Sequence, residues 1–180
     1  MTHTNRRLVY SVAIVATLAG APAQAHSQIQ SQDAFAALVI PARPVAAEQL
    51  EQRAQDLLTA GRGWQQAAEL YVRAAELRGG GDPKSADDLR LAGYLQFYRG
   101  RPKAALASLI QAGEAYLARG DVERAAGAFI DGAWVAAAAD MPAEANELAE
   151  RGRLLTQSPL LRVEDRTALV RRLGGVPPIE

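Results

Sequence analysis

Gly100-Arg101-Pro102-Lys103-Ala104-Ala105 is followed twenty residues later by Gly120-Asp121-Val122-Glu123-Arg124-Ala125, and these two stretches decide the fold. Each is a turn that opens a segment with a small, a large and a small residue at positions i, i+4 and i+7. This spacing places the three residues on one face of an α-helix, where the small pair lets a neighbouring helix approach and the large residue fills the space between. The residues of this face are Ala105, Leu109 and Ala112 in the first segment and Ala125, Phe129 and Gly132 in the second. We therefore predict two helices that pack through this face.

The same pattern extends along most of the chain. It recurs at Ala67, Tyr71 and Ala74 and, in weaker form, at Ala145, Ala149 and Gly152. Turns separate the segments at intervals of about twenty residues, because Gly ends a helix in the left-handed conformation and Pro or Asp begins the next one. These turns are at Gly61-Arg62-Gly63, Gly79 to Pro83, Gly100-Arg101-Pro102, Gly120-Asp121, Asp140-Met141-Pro142 and Ser158-Pro159.

Apolar residues spaced by three and four predict a helix between each pair of turns. The predicted helices are 46–59, 63–78, 85–98, 102–118, 121–138, 142–157 and 161–173. Aromatic residues are only 6% of the chain and Ala, Leu, Glu, Gln and Arg are abundant, a composition that favours helices over strands. With 49% apolar residues, the 180-residue chain is sufficient for one packed domain. We predict an all-α fold of about seven helices, arranged as stacked antiparallel hairpins.

The small-large-small face of these helices, which we call the seam, resembles that of the tetratricopeptide repeat family, whose second helix carries Ala, then an aromatic residue or Leu, then Ala after a Gly-Asp turn. The resemblance covers about residues 46–157, and Leu89 and Gly93 match the large and small residues of the family's first helix. The chain departs from the family in a spacing of 38 to 40 residues instead of 34, in the lack of a closing Pro and in Gln96, where Tyr is common. The resemblance implies a short α-solenoid with a concave face; a plain antiparallel bundle is the alternative.

Residues 1–25 have the layout of a secretory signal peptide. Arg6 and Arg7 precede the apolar run 8–20, and the small-residue site Ala23-Gln24-Ala25 follows it. The run is shorter than the roughly 20 residues that a membrane-spanning helix needs, so we expect cleavage near Ala25 and a periplasmic or secreted protein, with a retained anchor as the alternative. We expect an extended segment over 26–45, the helical domain over 46–173 and a tail over 174–180.

The helical part of the sequence has few residues suited to catalysis. The chain contains no Cys, and its two histidines are His3, in the predicted leader, and His26, at the predicted new N-terminus. We therefore expect no nucleophile paired with His, no metal site, no cofactor and no enzyme. Asp87-Asp88 is interpreted as negative charge at a helix start, and the loop Gly79 to Ser85 as a hinge, because Pro83 removes an amide that a phosphate loop would need.

The resemblance also implies which residues face a partner. The family's inward positions correspond to Asp87, Arg90, Tyr94, Phe97 and Tyr98 on one helix and to Ile130 and Trp134 on a later one. Tyr, Trp and Arg give large contact areas and hydrogen-bonding groups for little loss of entropy, so we expect a protein or peptide partner at this face. Core packing is the alternative role for the aromatic residues, above all Phe97 and Trp134.

Two functions are compatible with this sequence. The first is a protein-binding scaffold in the cell envelope; the second is a compact helical bundle that acts as a holdase chaperone or carries a small ligand. Without Arg6 and Arg7, 18 of the 20 basic residues remain against 20 acidic ones, and this balance argues against nucleic acid as a partner. The Ala-rich edge helices leave pairing with a second copy open.

Overall fold

The computed structural model describes residues 43–177, and side chains from residue 45. The predicted signal peptide and residues 26–42 of the predicted extended segment lie outside this range, as do residues 178–180. Seven helices make up the described part, and it contains no strand: α1 Arg43–Thr59, α2 Trp64–Arg78, α3 Pro83–Tyr98, α4 Pro102–Ala118, α5 Val122–Ala138, α6 Pro142–Thr156 and α7 Val163–Leu173. None of these helices combines the length and the hydrophobicity needed to cross a membrane.

The predicted all-α fold is confirmed, with two corrections at helix starts. Helix α1 begins at Arg43, so the last residues of the segment predicted to be extended are helical. Pro44 is compatible with this, because amides in the first turn of a helix have no hydrogen-bond acceptor within the helix. Helix α3 begins at Pro83 instead of residue 85, because the Asp82 carboxylate accepts a hydrogen bond from the Lys84 amide at 2.9 Å and caps the helix. The other helix ends agree with the prediction within two residues.

Three successive turns share one hydrogen-bonding pattern. After α3, α4 and α5, an amide donates to the carbonyl five residues earlier, and the preceding residue has a positive φ. Gly100 and Gly120 have φ values of 68° and 74°, a region that glycine adopts without strain. Asp140, with φ 56°, takes the equivalent place after α5. The twenty-residue period of the sequence therefore reflects the same type of helix end, repeated at three successive turns.

Each helix packs against the next one in the chain, and polar side chains link every second helix. On one side, Asp87 of α3 contacts Arg124 of α5, and Asp131 of α5 contacts Arg172 of α7. On the other side, Arg151 of α6 contacts Glu114 of α4. Helices α1, α3, α5 and α7 thus form one layer, the odd layer, and α2, α4 and α6 form the even layer.

The interface between successive helices is built from large side chains seated on glycines. Leu109 of α4 lies on Gly93 of α3, and Phe129 of α5 lies on Gly113 of α4; a Cβ atom at either glycine would lie 2.7 Å from the facing side chain. Leu148 of α6 lies on Gly132 in the same way, at 3.0 Å from a Cβ placed there. Among the residues predicted for the seam, Ala149 of the weaker copy is only partly buried. The others are buried: Ala67, Tyr71, Ala74, Leu89, Gly93, Ala105, Leu109, Ala112, Ala125, Phe129, Gly132, Ala145 and Gly152.

Candidate partner-binding face

Two of the predicted partner-binding residues, Arg90 and Tyr94, meet around a carboxylate of the same layer. Arg90 donates from Nε and Nη2 to Oδ2 of Asp131, at 3.1 and 2.9 Å, and the Tyr94 hydroxyl donates to the same oxygen. Arg172 of α7 donates to the other carboxylate oxygen. Asp131 therefore connects α3, α5 and α7, and we call these four residues the Asp131 cluster.

The surroundings raise the pKa of both Tyr94 and Arg90. Burial raises the pKa of Tyr94 to about 12, and the Asp131 charge adds to this effect. The hydroxyl therefore stays protonated and donates a hydrogen bond to the carboxylate. Burial works against the charged form of Arg90, but Asp131 and Tyr94 together outweigh it and hold the pKa of the guanidinium above its ordinary value. Two guanidinium groups thus face one carboxylate, which leaves one positive charge in excess.

A second cluster lies beside the first and links α3, α4 and α5. The Tyr116 hydroxyl donates to Asp87 at 2.5 Å, and Arg124 lies 3.4 Å from the same carboxylate oxygen. The Arg124 guanidinium also lies 5.8 Å from the centre of the Tyr116 ring. Burial, and then the Asp87 charge, raise the pKa of Tyr116, so this hydroxyl is a donor as well.

An open groove of about 410 Å³ runs between the two clusters. Its lining is Asp87, Arg90, Leu91, Tyr94 and Tyr116. Leu91 is 45% exposed, although it lies in the middle of a helix in the middle of the stack. Because the tyrosine hydroxyls are bonded to carboxylates, the rings are held in place and the apolar surface of the groove is formed in advance.

The predicted accessibility of Ile130 is wrong. Ile130 is only 1% exposed. It lies on Gly152 of α6, where a Cβ atom would be 2.7 Å from its side chain. Helix α7 also folds back onto α5, so that Leu161 and Leu169 pack against Ile130. The resemblance gave the inward positions of a continuing array and did not include a last helix that covers them.

The same fold-back corrects the expected tail and changes the setting of Trp134. The Trp134 ring is partly exposed, but its Nε1 donates to the Gly175 carbonyl at 3.0 Å. Val176 packs against two core clusters. Residues 174–176, predicted to belong to a trailing tail, therefore pack against the domain and occupy the end of the face that lies over α5.

Phe97 and Tyr98 lie apart from the groove. Phe97 is half-buried and packs against the main core, the alternative that the sequence left open for it. Tyr98 is exposed, and its ring meets the Trp64 ring edge-on at 6.4 Å in another depression, which also contains Arg62 and Arg99. The seven predicted residues therefore fall into four settings, and only Asp87, Arg90 and Tyr94 line the groove.

Sequence reasoning missed Asp131, Tyr116, Leu91 and Arg172. Asp131 had a signal, since it is the one acidic residue after the first turn of the otherwise apolar helix α5. A lone carboxylate among apolar residues needs a partner when it is buried, and Arg90, on the nearest predicted helix of the same layer, was the available cation. Arg172 had no such signal, because its position depends on the fold-back of α7.

Asp88 has a different role from the one predicted. Helix α3 begins at Pro83, so neither Asp87 nor Asp88 lies in its first turn. Asp88 instead contacts Arg78, whose side chain is 1% exposed and also contacts Glu51 of α1. Burial and the neighbouring Glu51 raise the pKa of Asp88 to about 7. We call Glu51, Arg78 and Asp88 the Arg78 cluster; it connects α1, α2 and α3.

The loop before α3 has a structural role in the described fold. Ser85 donates from its hydroxyl to the Ala75 carbonyl at 3.1 Å and thereby links the start of α3 to α2.

Within residues 43–177, no group of three or more His, Cys, Asp or Glu side chains is arranged to hold a metal ion. No protein-family model matches this sequence, and no curated protein or solved structure is significantly similar to it.

Proposed function

We propose that this chain is an exported protein-binding scaffold, a short tetratricopeptide-like array that holds a segment of a partner protein in the groove on its odd layer. The observation that carries the proposal is the preformed groove around Leu91. An exposed leucine between fixed tyrosine rings loses little entropy on binding, because the side chains around it are already ordered. Aromatic residues and arginine are also the types that contribute most at protein interfaces.

The groove favours a particular partner chemistry. Leu91 and the rings of Tyr94 and Tyr116 offer apolar contact, and the Asp131 cluster beside them has one positive charge in excess. A segment with an apolar side chain next to a carboxylate matches both features. The charge would favour encounter and orientation, and the apolar contact would supply most of the affinity.

Site-specific photocrosslinking in exporting cells tests the proposal. A photoreactive amino acid replaces Leu91 in one variant and Gln111, an exposed residue of α4 on the even layer, in the control variant. We expect one or two discrete adducts from position 91 and none of the same mass from position 111. Leu91→Glu should abolish capture of that partner, and Gln111→Glu should not. A broad ladder of adducts would favour the holdase, and equal labelling from both positions would contradict the groove.

The export step has its own test. We propose that the leader is removed after Ala25, so the N-terminal residue of the mature protein is His26. N-terminal sequencing of the protein recovered from the envelope fraction measures this directly. Recovery of the intact chain from the cytoplasm would contradict export without bearing on the groove.

A further inference from the structure

Helix α7 is apolar on two sides. Its inner side carries Leu169, which packs on α5. Its outer side, continued by the turn before it, exposes Leu160 at 75%, Val163 at 74% and Val170 at 51%. Val163, Thr167 and Val170 follow the i, i+4, i+7 spacing and lie along one stripe of the helix. No residue described by the structure covers this stripe.

This stripe is unusual for the end of a helical array. The last helix of such an array normally has a polar outer side, because nothing further packs against it. Among the described residues, four of the nine exposed large apolar side chains lie between residues 154 and 170, so exposed apolar surface is concentrated at this end. Such a concentration is typical of a protein-protein contact.

The charges beside the stripe indicate what the contact is. In α7, Asp165 pairs with Arg162 and Arg172 pairs with Asp131. Glu164 and Arg171 are exposed, and neither has an ion-pair partner within the described residues. They are seven residues apart, at opposite ends of one edge of the stripe. If a second copy of α7 packs antiparallel to the first, Arg171 of the partner subunit lies opposite Glu164. Two-fold symmetry then also places Glu164 of the partner subunit opposite Arg171.

The centre of the stripe suits close contact between two helices. The Thr167 hydroxyl donates to the Val163 carbonyl at 2.8 Å, so its hydrogen bond is made within the helix and does not require water. Its remaining methyl group is small enough for a second helix to approach. We infer that two copies of this chain associate through antiparallel α7 helices, with Val163 and Val170 in the contact and Glu164 opposite Arg171.

The size of the contact sets its strength. Two eleven-residue helices give an interface at the low end of the range for specific complexes, so we expect a weak dimer with a dissociation constant in the micromolar range. The stripe contains none of the groove residues, so this dimer and the proposed partner binding succeed or fail independently.

Charge reversal tests the pairing. Glu164→Arg makes both ends of the edge positive, and Arg171→Glu makes both ends negative, so each variant alone replaces two attractions with two repulsions. We expect each variant to dimerise about tenfold more weakly than the unmodified chain. In a mixture of the two variants, the positive edge of one chain lies opposite the negative edge of the other. The mixture should therefore form heterodimers with about the original affinity.

Sedimentation equilibrium of the full chain without its leader, over a wide concentration range, measures these affinities. Arg119→Glu, at an exposed arginine in the turn after α4, is the matched control and should leave the affinity unchanged. Val170→Asp should abolish the dimer while the circular dichroism spectrum and melting temperature stay close to those of the parent. A monomer at all concentrations, or a variant mixture that associates no better than its components, would overturn the inference.

Discussion

The centre of the array and its N-terminal end are held together by different chemistry. From α4 to α6, a large apolar side chain of each helix sits on a glycine of the preceding one. At the N-terminal end, a smaller apolar cluster is supplemented by the Arg78 cluster, in which one buried guanidinium faces two carboxylates. Apolar contacts do not depend on pH, whereas a buried ionic contact does. The comparison therefore predicts that the Arg78 cluster makes stability at the N-terminal end depend on pH, whereas the glycine-seated contacts of the centre do not depend on it.

Removing the large side chain at the centre should have the greatest effect on stability. Phe129 is buried on Gly113, and the Arg151 guanidinium lies 4.0 Å from the centre of its ring. We expect Phe129→Ala to lower the free energy of unfolding by about 3–5 kcal/mol, measured by urea titration. Gly113→Ala alone should also destabilise, by about 1–3 kcal/mol, because its Cβ meets the ring. In the Phe129→Ala background the same glycine change should cost nothing, and additive losses would show that the contact is absent.

Removing the cation at the N-terminal end should have the next largest effect. Arg78→Met keeps most of the volume but leaves Asp88 and Glu51 without their shared partner. We expect a loss of about 3 kcal/mol at pH 8, with α1 losing hydrogen-exchange protection before α4 and α5 do. Arg73→Met, at an exposed position of the same helix, is the control and should change little. Uniform loss of protection along the chain would contradict a local role for the cluster.

The pH dependence of this end follows from the raised pKa of Asp88, about 7 against an ordinary value of 3.8. A carboxyl group with a raised pKa in the folded state binds its proton more tightly there, so folding loses stability as the pH rises between these two values. The effect of Arg78 is already included in this pKa, so we expect a fall of about 2 kcal/mol between pH 5 and pH 8. Asp88→Asn should flatten the profile, measured by urea midpoints at successive pH values. A stability that rises over this range would contradict the assignment.

The sequence predicted the helices and the seam because both depend on local order. Glycine turns and the small-large-small spacing are visible without knowledge of what lies beyond one helix, and Leu109 and Phe129 are where that spacing put them. Gly113 was overlooked, although it lies twenty residues after Gly93. The candidate site was predicted only in part, since the positions of Arg90 and Tyr94 follow from one helix face. The contact of Asp131 with Arg172 and the packing of Leu169 on Ile130 depend on where the last helix folds, which no spacing within α5 records.

The attachment of the C-terminal end is the third part of the comparison and gives the smallest effect. Trp134→Phe keeps the aromatic ring but removes the N–H that donates to the Gly175 carbonyl. The carbonyl lies near the surface and water can replace the donor, so we expect a loss of about 0.5–1 kcal/mol and little change in the global unfolding midpoint. Because Leu169 and the Asp131 cluster still hold α7, faster hydrogen exchange should be confined to residues 174–177. If exchange also accelerates throughout α7, the single hydrogen bond holds the whole helix in place, and the apolar contacts of Leu161 and Leu169 contribute less than their burial implies.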